Sequence, residues 1–159
     1  MDFTLRAPEP KDIEALAQLH TQCWKQSYAH LLPADYFTAQ RLESRRLLWG
    51  RLIGDENPKL RRVVAEEKGE LVGLALAGPS LDGECQLQLY SLYLLAQSHG
   101  TGIGQALFDA VLGAEPGMLW VARDNPRATA FYLRNGFAFD GAEKADPEVP
   151  QMIELRMLR

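Results

Sequence analysis

Cysteine and histidine are scarce: the 159 residues hold two of the first and three of the second, and nothing clusters them. Cys23 and Cys85 lie far apart, so no disulfide framework can be read, and a reducing, cytoplasmic setting is expected. His20 and Cys23 are spaced as the start of a metal site would be, but no second ligand pair follows; they read as a helix-packing pair, and no metal is expected. Long apolar runs are also missing. None approaches the roughly 20 residues of a membrane span, and no stretch resembles a signal peptide, so no membrane partner is expected. Basic residues are not in excess either: 17 Lys and Arg stand against 21 Asp and Glu, a formal charge of -4 that argues against a general nucleic-acid surface and mildly suits a cationic partner.

With 47% hydrophobic and 24% charged residues, the chain has the balance of a folded protein, and its length suits one domain spanning residues 1–159. Residues 3–7 read as a strand. After Pro8-Glu9-Pro10, a helix carries Ile13, Leu16, Ala17, His20, Trp24 and Ser27 on one face and ends near Tyr28. A second helical segment is expected from Leu31-Leu32-Pro33 to Gly54, with Tyr36, Phe37, Leu42, Leu47, Leu48 and Leu52 apolar and Arg41, Arg45, Arg46 and Arg51 as a solvated face. Residues 60–66 and 70–77 form a hairpin about Glu67-Lys68-Gly69. The next strand begins near Glu84. Its apolar set shifts from odd positions (Cys85, Leu87, Leu89) to even ones (Tyr90, Leu92, Leu94), as either a β-bulge at residues 90–92 or burial on both faces would cause. Residues 118–122 are a short apolar strand, Asn125-Pro126 opens a helix that Asn135-Gly136 closes, and residues 137–140 and 152–158 are the last strands. An acidic loop with Glu143, Asp146 and Glu148 joins them.

The chain is organised around residues 89–107, where an apolar strand meets Gly100, Gly102 and Gly104 and runs into a helix with Ile103, Ala106, Leu107, Ala110 and Val111 at helical spacing. Glycine lets the backbone take positive φ and a ligand come close, and the N–H groups and dipole of a helix N-terminus favour an anion such as a pyrophosphate. Two familiar phosphate loops fail the spacing. The dinucleotide motif needs a small residue where Gln105 or Leu107 stands, and the P-loop Gly-Lys-Ser/Thr is absent.

The stretch His99-Gly100-Thr101-Gly102-Ile103-Gly104 resembles the Q/R-x-x-G-x-G/A motif of the GNAT N-acetyltransferases, with His99 in the leading place and Ala96 where a Pro is common. Residues 125–137 resemble a second signature of that family, N-x-x-A-x-x-F-Y-x-x-x-G-F. The resemblance covers essentially the whole chain, most strongly residues 88–139. It implies an α/β (α+β) fold with a mixed, mostly antiparallel sheet of about seven strands, about four helices, and a bulged fourth strand splayed from the fifth. It further implies acetyl-CoA as co-substrate. The pyrophosphate would lie against His99, Gly100, Thr101, Gly102, Ile103, Gly104 and Gln105. The pantetheine arm would lie along Leu92, Tyr93 and Leu94 and touch Asn125, and Tyr132 would serve as the acid for the leaving thiolate. The acceptor would be a small-molecule or peptide amine, its pocket bordered by residues 24–36 and 141–150, and the protein a monomer or homodimer.

From the residues alone, other readings stand beside these. Tyr132 also fits a core position beside Phe131, and His99 a surface turn. Neither cysteine has a histidine next to it in sequence, and Cys23 with His20 reads as helix packing, so both cysteines read as small apolar groups rather than nucleophiles, and direct attack in a ternary complex is expected. A CoA-binding domain without turnover and an unrelated nucleotide-phosphate site are the other function classes. Many family members carry a Glu eleven residues before the glycine motif, where this chain has Gln88. Glu84, on the same strand face, is roughly 13 Å away. The expectation is therefore that no single carboxylate takes the amine proton and that water held by Gln88 relays it.

Overall fold

The computed structural model describes residues 2–83 and 85–159. The sequence reading of Glu84 lies outside the described residues. In chain order the elements are β1 (Phe3–Arg6), α1 (Ile13–Tyr28), α2 (Ala39–Gly54), β2 (Arg61–Glu67), β3 (Glu70–Pro79), β4 (Leu87–Leu94), α3 (Ile103–Val111), β5 (Met118–Ala122), α4 (Pro126–Arg134), β6 (Ala138–Ala145) and β7 (Ile153–Leu158). Among the described residues seven strands make one sheet in the order β1-β2-β3-β4-β5-β7-β6, antiparallel at every pair except β4 with β5. The expected α/β architecture, with its mixed sheet and four helices, is what the chain adopts.

Helices cover both faces. On one, Leu16, Leu19 and Cys23 of α1 and Trp49 of α2 pack on Val64 and Leu74; on the other, Ile103, Leu107, Phe108 and Val111 of α3 meet Ala65, Ala75, Ala77, Leu119 and Val121. Covering on both sides explains why β3 is almost continuously apolar and buried rather than alternating. At its entry into α1 the chain is fixed by Arg6, which forks onto Asp12 at 2.7 and 2.9 Å, while Asp12 also accepts the Glu9 N–H. Among the described residues no helix is long and apolar enough to cross a membrane.

Three expectations are corrected. The second helix starts at Ala39, capped by the Thr38 hydroxyl accepting the Arg41 N–H at 3.1 Å, so Tyr36 and Phe37 belong to the preceding loop. The arginines of α2 are not one solvated face: Arg45 is only 8% exposed and turns inward with Trp49, whereas Leu47 is 63% exposed. Residues 45, 49 and 52 share the inward stripe at i, i+4, i+7, and the long Arg45 stem packs there as an apolar side chain would. Finally, β6 does not end at Asp140. Between Phe139 and Glu143 its register against β7 shifts, with Gly141 at a φ of 90°, so the strand bulges past Asp140 and continues, and Glu143, expected in the acidic loop, lies in it.

Close packing between sheet and helix rests on Gly73. A Cβ there would stand 2.9 Å from methyl groups of Leu107 and Leu94 and 3.0 Å from the Tyr93 carbonyl oxygen. Gly73→Ala should therefore lower the unfolding free energy by about 1–3 kcal/mol, read as a lower urea midpoint at unchanged m-value. An unchanged midpoint would show that α3 can move off β3 freely.

Candidate active site

The site begins with one extra residue in β4. Leu76 pairs with Ser91 but Ala77 pairs with Leu89, which leaves Tyr90 without an opposite residue on β3. This is the bulge expected from the shift in apolar phase. On its other edge β4 pairs with β5 only at Gln88 with Met118 and Leu89 with Leu119. Past that point the strands diverge around a cavity of about 430 Å³.

The strand runs into a tight turn. Thr101 Oγ1 donates to the Ser98 carbonyl at 2.6 Å, and His99 Nε2 donates to the Leu94 carbonyl at 3.1 Å, which fixes the proton on that nitrogen. Gly100 and Gly102 have φ of 75° and 88°, a region that costs other residues roughly 1–2 kcal/mol. Gly102 is the N-cap of α3, its carbonyl accepting the Ala106 N–H at 3.0 Å. The N–H groups of the first turn have no helical partners; that of Ile103 reaches Thr101 Oγ1 at 3.5 Å, while Gly104 and Gln105 line the cavity. Gly104 is already helical. The two positive-φ glycines place the glycine motif two residues earlier than the sequence frame had it: Gln97, not His99, stands in the leading place, and the residue eleven before it is Gln86. Neither frame puts a carboxylate there.

Of the expected binding residues, Leu92, Tyr93, Leu94, His99, Gly100, Gly102, Gly104, Gln105, Asn125 and Tyr132 line the cavity. Thr101 and Ile103 do not, since the Thr101 hydroxyl serves the turn and Ile103 is fully buried in the core. The Gln105 side chain is exchanged with that of Asn135, at 2.8 and 3.2 Å, tying α3 to the end of α4. Asn125 Oδ1 caps α4 by accepting the Ala128 N–H at 3.1 Å, while its Nδ2 donates to the Tyr28 hydroxyl at 3.2 Å. Tyr132 is 8% exposed, its ring 5.5 Å from that of Phe131 and 6.1 Å from that of Phe137. Burial pushes its phenol well above the usual range. Among the described residues its hydroxyl has no hydrogen-bond partner, so packing fixes the ring and leaves the O–H facing the cavity.

From the stretch 24–36 expected to border the acceptor pocket, Trp24, Ser27 and Tyr28 of α1 line this cavity; Arg127 and Arg134 of α4, and Met152 and Glu154 near and on β7, reach it without having been singled out. Glu154 has a signal only in hindsight. It alternates with Ile153 and Leu155 along β7, but its relation to β4 depends on the β5 register. Residues 141–150, expected as a pocket border, supply no wall; Val149 instead packs with Met152 on Tyr36. Asp146 spends its carboxylate on the Glu148 and Val149 N–H groups, and Glu148 pairs with Arg41 at 3.4 Å. Gln88 is 7% exposed, accepts the Leu81 N–H at 2.9 Å and is not among the lining residues, so the water relay assigned to it has no place in this site. Cys23 does line the cavity, but burial pushes its thiol up to about 12 and keeps it protonated.

A family model described as the acetyltransferase (GNAT) family matches residues 13–137. The chain belongs to the GNAT family. Over 149 residues it is 30% identical to a probable N-acetyltransferase of Mycobacterium tuberculosis, a match covering 88% of this chain and 82% of that protein. An uncharacterized N-acetyltransferase of Bacillus subtilis, YuaI, is 29% identical over 135 residues, covering 77% and 73%. The fold is shared with the PaiA N-acetyltransferase of Thermoplasma acidophilum, solved in complex with coenzyme A, at a TM-score of 0.74 and 22% identity over 98% of each chain.

In this GNAT chain the dual bonding of Asn125 can be separated. Asn125→Ala should cost about 1 kcal/mol of stability through the lost cap, and Asn125→Ser, which can still accept from Ala128, should restore most of it. Equal melting curves for the parent and the Ala variant would show that the cap is not what holds the start of α4.

Proposed function

We propose that this protein transfers the acetyl group of acetyl-CoA to a primary amine by direct attack in a ternary complex. The observation that carries the reading is convergence: Gly104 and Gln105 in the first turn of α3, Leu92, Tyr93 and Leu94 on the stretch of β4 that has left β5, and the unpartnered Tyr132 all line one cavity. Coenzyme A in the PaiA neighbour of like fold supports an acyl-CoA donor. The residues present suit such a molecule. An added Cβ at Gly100 or Gly102 meets no atom within 4 Å, so the turn leaves room for phosphate oxygens, and the helix dipole favours them. Arg127 and Arg134 bring positive charge to the same cavity.

Main-chain groups of Leu92, Tyr93 and Leu94 bind the pantetheine amides as a neighbouring strand would, and the amides of this edge polarise the thioester carbonyl. The bound donor supplies an acyl carbon open to nucleophilic attack. The amine lone pair forms the new C–N bond, the C–S bond breaks, and Tyr132 gives its proton to the departing sulfur. A phenol raised by burial is fully protonated at neutral pH, the state this role requires.

Tyr132→Phe should leave acetyl-CoA affinity nearly intact and lower turnover by about 10²–10⁴, measured as free thiol released with a panel of amines. An unchanged kcat, with chemistry shown to be rate-limiting, would return Tyr132 to a packing role. Gly102→Val should weaken acetyl-CoA binding in calorimetry, since a β-branched residue cannot hold that φ without reshaping the turn. Equal affinity would sink the assignment of this turn. Thiol release that depends on an added amine, against none with any amine, separates a transferase from a domain that binds CoA without turnover.

A further inference from the structure

We propose that Glu154 is the acceptor's contact: its carboxylate holds the incoming ammonium and takes the proton that must leave before the nitrogen can attack. The proposal rests on the transferase reading above and names the group that reading leaves open.

Position comes first. Glu154 pairs across β7 with Ala122 on β5 and Lys144 on β6, and residues directly opposite in antiparallel strands point to the same face. That face carries Trp120 and Ala122 and looks toward the end of α1, whereas Tyr132 packs with the α3 core on the other face. Glu154 and Tyr132 nevertheless line one cavity, because the gap between β4 and β5 passes through the sheet. Donor and acceptor can thus arrive from opposite faces and meet there.

The second point is uniqueness. Among the described residues Glu154 is the sole carboxylate in the cavity wall. Its side chain is 22% exposed, no described N–H or O–H donates to it within hydrogen-bond distance, and its ion pair with Lys144 is long, at 3.9 Å. Lys144 is itself held 4.4 Å from the centroid of the Trp120 ring. A carboxylate that is largely desolvated and only loosely paired gains from a cation brought to it. The rings of Trp24 and Tyr28, 5.1 Å apart, border the same space and suit the carbons and charge of an alkylammonium.

The charged groups facing Glu154 also make it a usable base. Burial raises its carboxyl above the ordinary range and Asp146 adds to this, while Lys144 opposes it. Tyr28 across the cavity stays neutral, its phenol pushed up to about 12, with the Glu154 charge among the causes. Arg156, two residues along β7, is engaged with Asp140 at 2.7 Å. In the balanced sequence, one ammonium proton passes to Glu154 and later to solvent. The neutral amine attacks, the C–S bond breaks, sulfur takes the Tyr132 proton, and the second nitrogen proton returns through solvent to the Tyr132 oxygen. The products are the amide, the free thiol and one proton.

The test compares the parent with Glu154→Gln and Glu154→Asp, using the best alkylamine from the panel, its N-trimethylated form as a probe that binds but cannot react, and aniline, which is neutral at pH 7. Glu154→Gln should raise KM for the alkylamine at least about tenfold, abolish calorimetric binding of the trimethylated probe, and change acetyl-CoA affinity and aniline turnover little. In the parent, kcat/KM for the alkylamine should rise with pH through one limb belonging to Glu154, which aniline, needing no deprotonation, should lack; the Gln variant should lose that limb, and Glu154→Asp should retain it in part. If the parent releases thiol with the alkylamine but Glu154→Gln binds the probe and shows the same KM and pH profile, Glu154 is not the contact. If the parent releases no thiol with any amine, the transferase reading fails and this proposal with it. Circular dichroism and acetyl-CoA binding establish that each variant is folded.

Discussion

The site depends on one backbone event, the departure of β4 from β5. A single additional residue, Tyr90, turns the second half of β4 and breaks a parallel pairing that lasts two residues. The bulge is pinned rather than loose. The Tyr90 hydroxyl donates to the Pro79 carbonyl, and its ring lies against Gly78, where a Cβ would come within 3.0 Å of the hydroxyl oxygen. Meanwhile the opposite edge of β4 stays paired with β3 as far as Leu94. The result is a rigid strand with one edge's polar groups turned to a cavity, and unpaired main-chain groups are costly unless water or a ligand meets them. A strand-like ligand such as pantetheine satisfies them in kind.

Because the opening runs through the sheet, the two faces can hold different chemistry. The face under α3 and α4 offers amides, a helix dipole and two arginines, all suited to phosphate. The face under α1 and β7 offers aromatic rings and one carboxylate, suited to a cation. In the proposed reaction these meet at the thioester, so that a proton is accepted on one side and donated on the other. This separation is useful physically: an acid and a base in direct contact would neutralise each other, whereas Tyr132 and Glu154 belong to different helix and strand layers, and burial raises both above their ordinary ranges.

The sequence was most readable where local rules act alone. The glycines of the turn, the Asn125-Pro126 helix start and the phase shift at Tyr90 each carry a local steric or capping reason, and each appears in the fold at the place the residues indicate. The frame of the glycine motif was harder, because Gly100, Gly102 and Gly104 alternate and only the φ angles separate the two turn positions from the helical one. Side chains whose environment is set by distant strands were not readable. Glu154 faces the cavity because of a β5–β7 register and a gap opened by β4, and Gln88 leaves it because Leu81, in a loop before it, supplies an N–H. The reading of the α2 arginines failed for a related reason: charge alone marks a residue as exposed, while its turn on the helix and its partners decide.

Those arginines bear on how the acceptor side is built. Arg45 donates to Thr21 Oγ1 at 2.9 Å and lies 5.5 Å from the Trp24 centroid, and Arg41 stacks 3.8 Å over Tyr36, which is itself parallel to Trp24. Trp24 Nε1 donates to the Tyr93 hydroxyl at 3.1 Å, and His20, stacked 5.1 Å from Tyr93, is held neutral by burial that lowers it to about 3. This chain of rings and guanidinium groups braces Trp24 and Tyr93, so the wall that an amine would meet cannot easily yield. It also places positive charge behind that wall, which by itself would repel an ammonium. Glu148 offsets Arg41 directly, whereas Arg45 has no carboxylate at contact among the described residues. The overall charge of -4 therefore says little about this site; a cationic acceptor is favoured only if a carboxylate stands in front of the rings, closer to the nitrogen than Arg45 is. Glu154 is the described residue that occupies the cavity wall in that way.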